Sequence, residues 1–258
     1  MRLKFCENPI MEPTRSCPRL RWLLPALLAT AAFAMQEQGD VVSRAALLQE
    51  VPPNTDHPIA RKVIATQEDE ISSQPAAKKI MTVHYRAKPT AQYSMNDDRI
   101  VIALEQNGQY RILKVYESDA AVIDGKLYSE DDFDQEFISI RGLRFLHIRD
   151  HLSGSGGITQ HDVYTISSDG KLSTIPFDES RSKLLKAGEE LRNGQYLFAN
   201  GEFSFEAGIY IDSDPECCPS NGAYHAIYKL EGNFKHSPEG AFTPDFKFAV
   251  AKEWRSEK

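Results

Sequence analysis

Cysteine is scarce in this chain. Four occur in 258 residues: Cys6 and Cys17 near the start, and Cys217 and Cys218 as neighbours. Adjacent cysteines cannot close a long loop with each other, so a framework of long-range disulfides is excluded as the source of stability. Basic charge is also in short supply, with 30 Lys and Arg against 37 Asp and Glu and a net charge of −7. No Lys/Arg-rich run follows residue 34. That excludes nucleic-acid binding by phosphate neutralisation and attraction to an anionic membrane surface. No apolar run reaches the roughly twenty residues that a membrane-spanning helix needs. There is no Cys-x-x-Cys and no glycine-rich loop ending in Lys-Ser/Thr, so no cofactor is expected.

What the chain does have at its start is a leader pattern. Residues 1–34 carry Arg2, Lys4, Arg15, Arg19 and Arg21 against Glu7 and Glu12, then the apolar run Leu23–Ala34 ending Ala32-Phe33-Ala34. A basic stretch, a short apolar stretch and a small-x-small ending form a secretory signal. The run would make a helix of roughly 18 Å, too short for a bilayer core of about 30 Å. Cleavage after Ala34 is expected, with a periplasmic or extracellular destination and no membrane span afterwards. Met11 offers a second start. Loss of a segment of net charge +3 from a chain of −7 leaves −10, an acidity that favours solubility.

Residues 35–79 read as a linker or disordered tether. They hold Pro52-Pro53, Gln67-Glu68-Asp69-Glu70 and Ser72-Ser73-Gln74-Pro75, with few apolar residues, too little to offset the entropy of ordering. A short helix near Ser43–Glu50 is the one element expected there. From Ile80 the pattern changes to short runs of β-branched and aromatic residues separated by turn signals. Asn107-Gly108, Arg141-Gly142, Ser168-Asp169-Gly170, Asn200-Gly201 and Glu231-Gly232-Asn233 each divide two such runs, which predicts five antiparallel hairpins. A helix is predicted near 179–192, from Asp178 as N-cap, Leu184, Leu185 and Leu191 on one face, and Asn193-Gly194 as terminator. Residues 80–258 are therefore expected to be a mainly β domain: a sandwich, an open barrel or a partial propeller-like stack.

Candidates for chemistry are few. His147-Ile148-Arg149-Asp150-His151 gathers two histidines and a carboxylate, the raw material of a hydrolase base or a weak metal site. Zinc, however, asks for three or four ligands, and Arg149 opposes a cation. Ser153-Gly154-Ser155-Gly156-Gly157 lacks the first glycine of a nucleophile elbow, and is read as a flexible connection. The acidic run Glu130–Glu136 lacks the EF-hand glycine and reads as a solvated face. Tyr196, Phe198, Phe203, Phe205 and Tyr210 alternate on adjacent strands, as core aromatics do.

Cys217-Cys218-Pro219-Ser220 lies between two strands, beside Asp212, Asp214 and Glu216. Those carboxylates disfavour a thiolate. The pair is expected to stiffen the loop as a vicinal disulfide or as two packed thiols. A redox-responsive role is the alternative. Here the chain resembles a group of poorly characterised exported bacterial β-rich proteins that carry a Cys-Cys-Pro-Ser motif. The likeness covers about 200–235 and, more weakly, Phe145–Pro176. It implies an exported location and a β-rich fold, and no particular reaction. Taken together, these features point to an exported envelope protein acting as a binding or structural β module toward an envelope partner or small ligand. The rivals are an envelope hydrolase using His147, Asp150 or His151, and a redox protein using Cys217 and Cys218.

Overall fold

The computed structural model describes residues 38–54, 57, 59–87, 97–118, 120–123, 126–129, 131–152, 159–178, 181–215, 218–238 and 240–257. The expected leader, residues 1–34, lies outside them, as do the glycine-rich connection 153–157 and Cys217.

The chain is mainly β, and its strands build a stack of three antiparallel sheets. Sheet 1 has the order β1-β5-β4-β3-β2, from β1 (Val41–Ser43), β2 (Lys62–Ile71), β3 (Lys78–Ala87), β4 (Asp97–Gln106) and β5 (Gln109–Glu117). A two-stranded ribbon, β6 (Ala120–Ile123) with β7 (Lys126–Ser129), follows it. Sheet 2 has the order β11-β10-β9-β8, from β8 (Asp131–Ile140), β9 (Leu143–Leu152), β10 (Thr159–Ile166) and β11 (Leu172–Thr174). Sheet 3 is the up-and-down run β12 (Glu189–Ala199), β13 (Glu202–Ile211), β14 (Ala223–His236) and β15 (Phe242–Ser256).

Sheet 2 is the middle layer, and its sequence shows why. Along β9 alternate residues face opposite ways. Leu146 and Ile148 join Ile80, Ile100 and Ile102 of sheet 1 in one buried cluster. Phe145 joins Phe203, Tyr228 and Phe248 of sheet 3 in another. A strand covered on both faces reads as a near-continuous apolar run, as Leu143–Ile148 does. The back of sheet 1 is closed by a third cluster, where Val42, Leu47 and Val51 cover Met81, Val83, Tyr85 and Val101.

Four of the expected hairpins form at their predicted turns. Asn107, Arg141 and Asn200 adopt φ of 55°, 53° and 53°, each followed by a positive-φ glycine, the backbone that matches strand twist in a two-residue loop. Gly170 closes the β10–β11 turn. The fifth hairpin is displaced. β14 runs straight through Glu231-Gly232-Asn233 in continuous register with β15, and the chain reverses at 237–241 instead. Gly232 has φ 97°, and a Cβ there would lie 1.9 Å from the Asp245 carbonyl oxygen. The glycine marks a close backbone approach inside a strand, not a turn.

Two further expectations are corrected. Residues 38–79 are not a tether. A single-turn helix, α1 (Arg44–Leu47), is capped by the Ser43 hydroxyl and buries Leu47 completely, while β2 forms the edge of sheet 1. β2 is mostly exposed, which accounts for its few apolar residues. The backbone ladder and polar pairs hold it instead: Glu68 bonds Arg44 at 2.9 Å and Lys79 at 3.1 Å, and Asp69 pairs with Arg144 of β9. The helix near 179–192 is likewise absent. A 3₁₀ turn, Arg181–Leu184, gives way to β12 at Glu189. Leu184, Leu185 and Leu191 all pack on the sheet 2–sheet 3 core, but along an irregular path. Asn193 does take the left-handed conformation, φ 56°, as a β-bulge where the β12–β13 register shifts between Arg192 and Gln195.

Candidate functional site

The outer face of sheet 3 carries a concavity. The inner face of this sheet is committed to the core through Phe203, Phe205, Ala207, Tyr224, Ala226 and Tyr228. Alternation therefore turns Ser204, Glu206, Gly208, His225 and Ile227 outward. Register sets one row across all four strands: Gln195 opposite Glu206, Glu206 opposite His225, His225 opposite Trp254. The bulge at Arg192–Gln195 bends β12 here, as bulges do at sites. Leu197, Ser204 and these four residues line a cavity of about 560 Å³. Leu197 is 64% exposed and Trp254 37%, high for large apolar side chains.

The row is internally ordered. The His225 and Trp254 rings stack with centroids 5.1 Å apart and planes within 9°. The Lys252 ammonium lies 4.9 Å from the Trp254 ring centroid, a cation–π contact. Glu206 reaches His225 Nδ1 at 3.6 Å, and Ser256 Oγ lies 3.0 Å from His225 Nε2. At the cavity edge Pro219 and Ser220 fold onto the sheet. A Cβ on Gly208 would sit 3.0 Å from the Pro219 ring and 2.7 Å from Tyr210, so only glycine leaves room for that proline. Asp214 pins the loop by accepting from Ile211 N, Ser220 N and Ser220 Oγ at 3.0, 3.0 and 2.9 Å. Cys218 is exposed, and its amide donates to Pro215 O at 3.0 Å.

The histidines singled out from sequence lie elsewhere. His147 is wholly buried between sheets 2 and 3, under Phe198 and Phe203. Its Nδ1 meets Glu136 at 3.0 Å and its Nε2 meets His161 Nδ1 at 2.7 Å. A carboxylate only accepts, so His147 donates from Nδ1 and His161 donates to His147 Nε2. That leaves the His161 Nε2 lone pair buried with no hydrogen bond among the described residues. Burial and then the Arg149 charge bring His147 down to about 4; burial and then His147 bring His161 down to about 3. Both are neutral at pH 7. His151 shares their face at the open end of β9 and pairs with Asp134 at 3.4 Å. Asp150 belongs to the opposite face, with Leu146 and Ile148. The three candidates therefore do not converge. No group of three or more metal-binding side chains is found among the described residues.

Two other polar clusters tie sheets together. At one end of sheet 1, Asp98 is fully buried. It takes two bonds from Arg86 at 2.6 Å, one contact from His84 at 3.1 Å and, from sheet 2, the Phe133 N–H at 3.3 Å. At the sheet 1–sheet 2 seam, Lys114 donates to Tyr164 and Tyr116 to Asp162, both at 2.5 Å. Burial, followed by the Asp162 charge, raises the Tyr116 phenol far above its ordinary value. It stays a donor.

Sequence reasoning passed over Glu206, His225 and Trp254. The available signal was alternation: in Tyr224-His225-Ala226 a polar ring stands between two core residues. No protein-family model, curated protein or solved structure matches this chain. Among the described residues no helix is long and apolar enough to cross a membrane.

Proposed function

We propose that this protein is an exported β module that acts by binding a small ligand through the outer face of sheet 3. One observation carries the reading. An ordered aromatic pair, exposed Trp254 on partly buried His225, shares a 560 Å³ cavity with the polar groups of Gln195, Glu206 and Ser204. Ligand sites combine apolar area with a few placed polar groups in this manner. A coplanar ring pair also offers area at little cost in side-chain entropy. The export part rests on the leader pattern at 1–34 and on the resemblance carried by Cys217-Cys218-Pro219-Ser220. The reading based on His147, Asp150 and His151 draws no support from their placement, since one is sealed in the core and another faces the opposite layer.

Trp254 provides the assay. The chain has two tryptophans, Trp22 and Trp254, so Trp22→Phe leaves Trp254 as the sole indole. Titration of that chain with a panel of disaccharides, N-acylated amino sugars and aryl esters is expected to change Trp254 emission saturably for at least one class. Leu197→Glu is expected to weaken that binding roughly tenfold or more, by replacing apolar contact with charge. An emission spectrum unmoved by every class at millimolar concentration would refute the reading.

A further inference from the structure

The row of side chains described above ends on a hydroxyl. Ser256 Oγ is 3.0 Å from His225 Nε2, and Glu206 Oε2 is 3.6 Å from Nδ1 of the same ring. At 3.6 Å Glu206 is an electrostatic neighbour beyond hydrogen-bond distance; in the tautomer protonated at Nδ1, the ring N–H faces that carboxylate and the Nε2 lone pair faces the serine hydroxyl. The stacked Trp254 ring fixes the plane of the imidazole. A hydroxyl within hydrogen-bond reach of an imidazole, with a carboxylate on the ring's far side, is the starting arrangement of an activated nucleophile. They arrive from three strands, at positions 206, 225 and 256, and two of them line the cavity.

Ser256 is close to the chain's end, but it is anchored. It pairs with Ala223 in the β14–β15 ladder. The backbone of Gly222 lies so close that a Cβ there would be 2.0 Å from the Ser256 carbonyl oxygen. The preceding Arg255 grips Glu189 with bonds of 2.7 and 3.1 Å and the Leu184 carbonyl with one of 3.1 Å.

Resting on the binding face proposed above, we infer that Ser256 is the nucleophile of an acyl-transfer site and that the ligands of this face include carboxylic esters. As Oγ bonds to the ester carbonyl carbon, its proton passes to His225 Nε2. The bond from that carbon to the leaving oxygen breaks, and the departing alcohol takes the proton from His225. Water then attacks the acyl-serine carbon and gives a proton to His225. The carboxylic acid leaves, and Ser256 Oγ regains the proton. Glu206 is a positioning residue acting through His225. It is 68% exposed on its side chain, so it orients the ring less firmly than a buried carboxylate would. That confines the site to esters, whose alcohols leave more readily than amines.

The test is covalent capture. The full chain is incubated with an alkyl fluorophosphonate and the adduct mapped by peptide mass spectrometry. One adduct is expected, on Ser256, and none in Ser256→Ala. His225→Gln is expected to slow labelling about 100-fold or more, the usual range for loss of a general base. Glu206→Gln is expected to slow it about tenfold and Glu206→Asp to recover part of the loss, all three with the wild-type thermal midpoint. An unlabelled wild-type chain, an adduct on another serine, or undiminished labelling of Ser256→Ala overturns the inference. The Trp254 titration separates the two failures. Saturable binding without an adduct sinks the acyl-transfer site and leaves the binding face standing, whereas absence of both removes both.

Discussion

Acidification should destabilise this protein through the His147–His161 pair, and the size of the effect can be worked out. Both rings are neutral when folded, with values brought down to about 4 and about 3, whereas a histidine in the unfolded chain titrates near 6.5. Below pH 6.5 the unfolded state binds protons that the folded state refuses, so stability falls as pH falls. The stabilisation is complete above about pH 7.5 and drains away between 6.5 and the folded values. At pH 5 each ring lies about 1.5 pH units below its unfolded value, which costs about 2 kcal/mol at 1.36 kcal/mol per unit. Asp162 favours the charged form of both rings, and that attraction is already contained in the folded values. The pair titrates as a unit, and its loss at pH 5 comes to about 2–4 kcal/mol. Against a domain stability of about 5–15 kcal/mol, that is a large fraction. Urea unfolding followed by circular dichroism at pH 8, 7, 6 and 5 measures it. Carboxylates elsewhere also respond to acid, so the informative quantity is the difference from a His147→Phe/His161→Phe chain. Wild type should lose about 2–4 kcal/mol more than the double variant between pH 8 and pH 5. Equal slopes within about 0.5 kcal/mol would refute the assignment of neutral, proton-refusing rings.

Two further outcomes are expected. Gly232→Ala should lower stability by about 2 kcal/mol or more, because φ 97° is foreign to alanine and the new methyl would sit 1.9 Å from the Asp245 oxygen; a urea midpoint equal to wild type would contradict the close β14–β15 approach. Fractionation of a bacterial host expressing the full chain should place it in the periplasm or medium with Met35 as its first residue, read by N-terminal sequencing. Intact leader in the cytosol would remove the export reading.

Local sequence was a good guide wherever the backbone itself decides the structure. Asn107-Gly108 and Asn200-Gly201 specify hairpins because two consecutive residues there must take positive φ, and few residue types do so cheaply. Asn193-Gly194 shows the limit of that logic. The left-handed residue is where the sequence places it, yet a helix terminator and a β-bulge demand the same φ. Leu184, Leu185 and Leu191 fit a helical face as well as an irregular path onto the same core. Gly232 fails differently. Its flanks resemble a turn, and only the partner strand, with its carbonyl where a Cβ would stand, explains the glycine. Apolar content alone makes residues 38–79 look like a tether, because it does not report every source of order. An edge strand such as β2 is held by its ladder and by ion pairs to Arg44, Lys79 and Arg144, which sparse apolar residues do not report.

The histidines make the same point for function. From sequence, proximity favoured His147 and His151, four residues apart. In a sheet, spacing along one strand sets only the face, and the layer above decides what that face meets. Sheet 3 covers His147 with Phe198 and Phe203 and leaves His151 at the margin, so one strand supplies a sealed relay and a surface ion pair. The outer face of sheet 3 is open at Leu197 and Trp254, 64% and 37% exposed. There the β12–β15 register, which no single strand encodes, lines up Gln195, Glu206, His225 and Trp254 and brings Ser256 in diagonally. The decisive variable is thus strand pairing across about sixty residues of sequence. A substitution on β13 that leaves all four residues of the row in place should therefore weaken the Trp254 response to ligand. Gly208→Val is such a change: its Cβ would meet Pro219 at 3.0 Å and Tyr210 at 2.7 Å, displacing Pro219 and straining β13 between Glu206 and Ile209; a Trp254 titration equal to wild type would refute this.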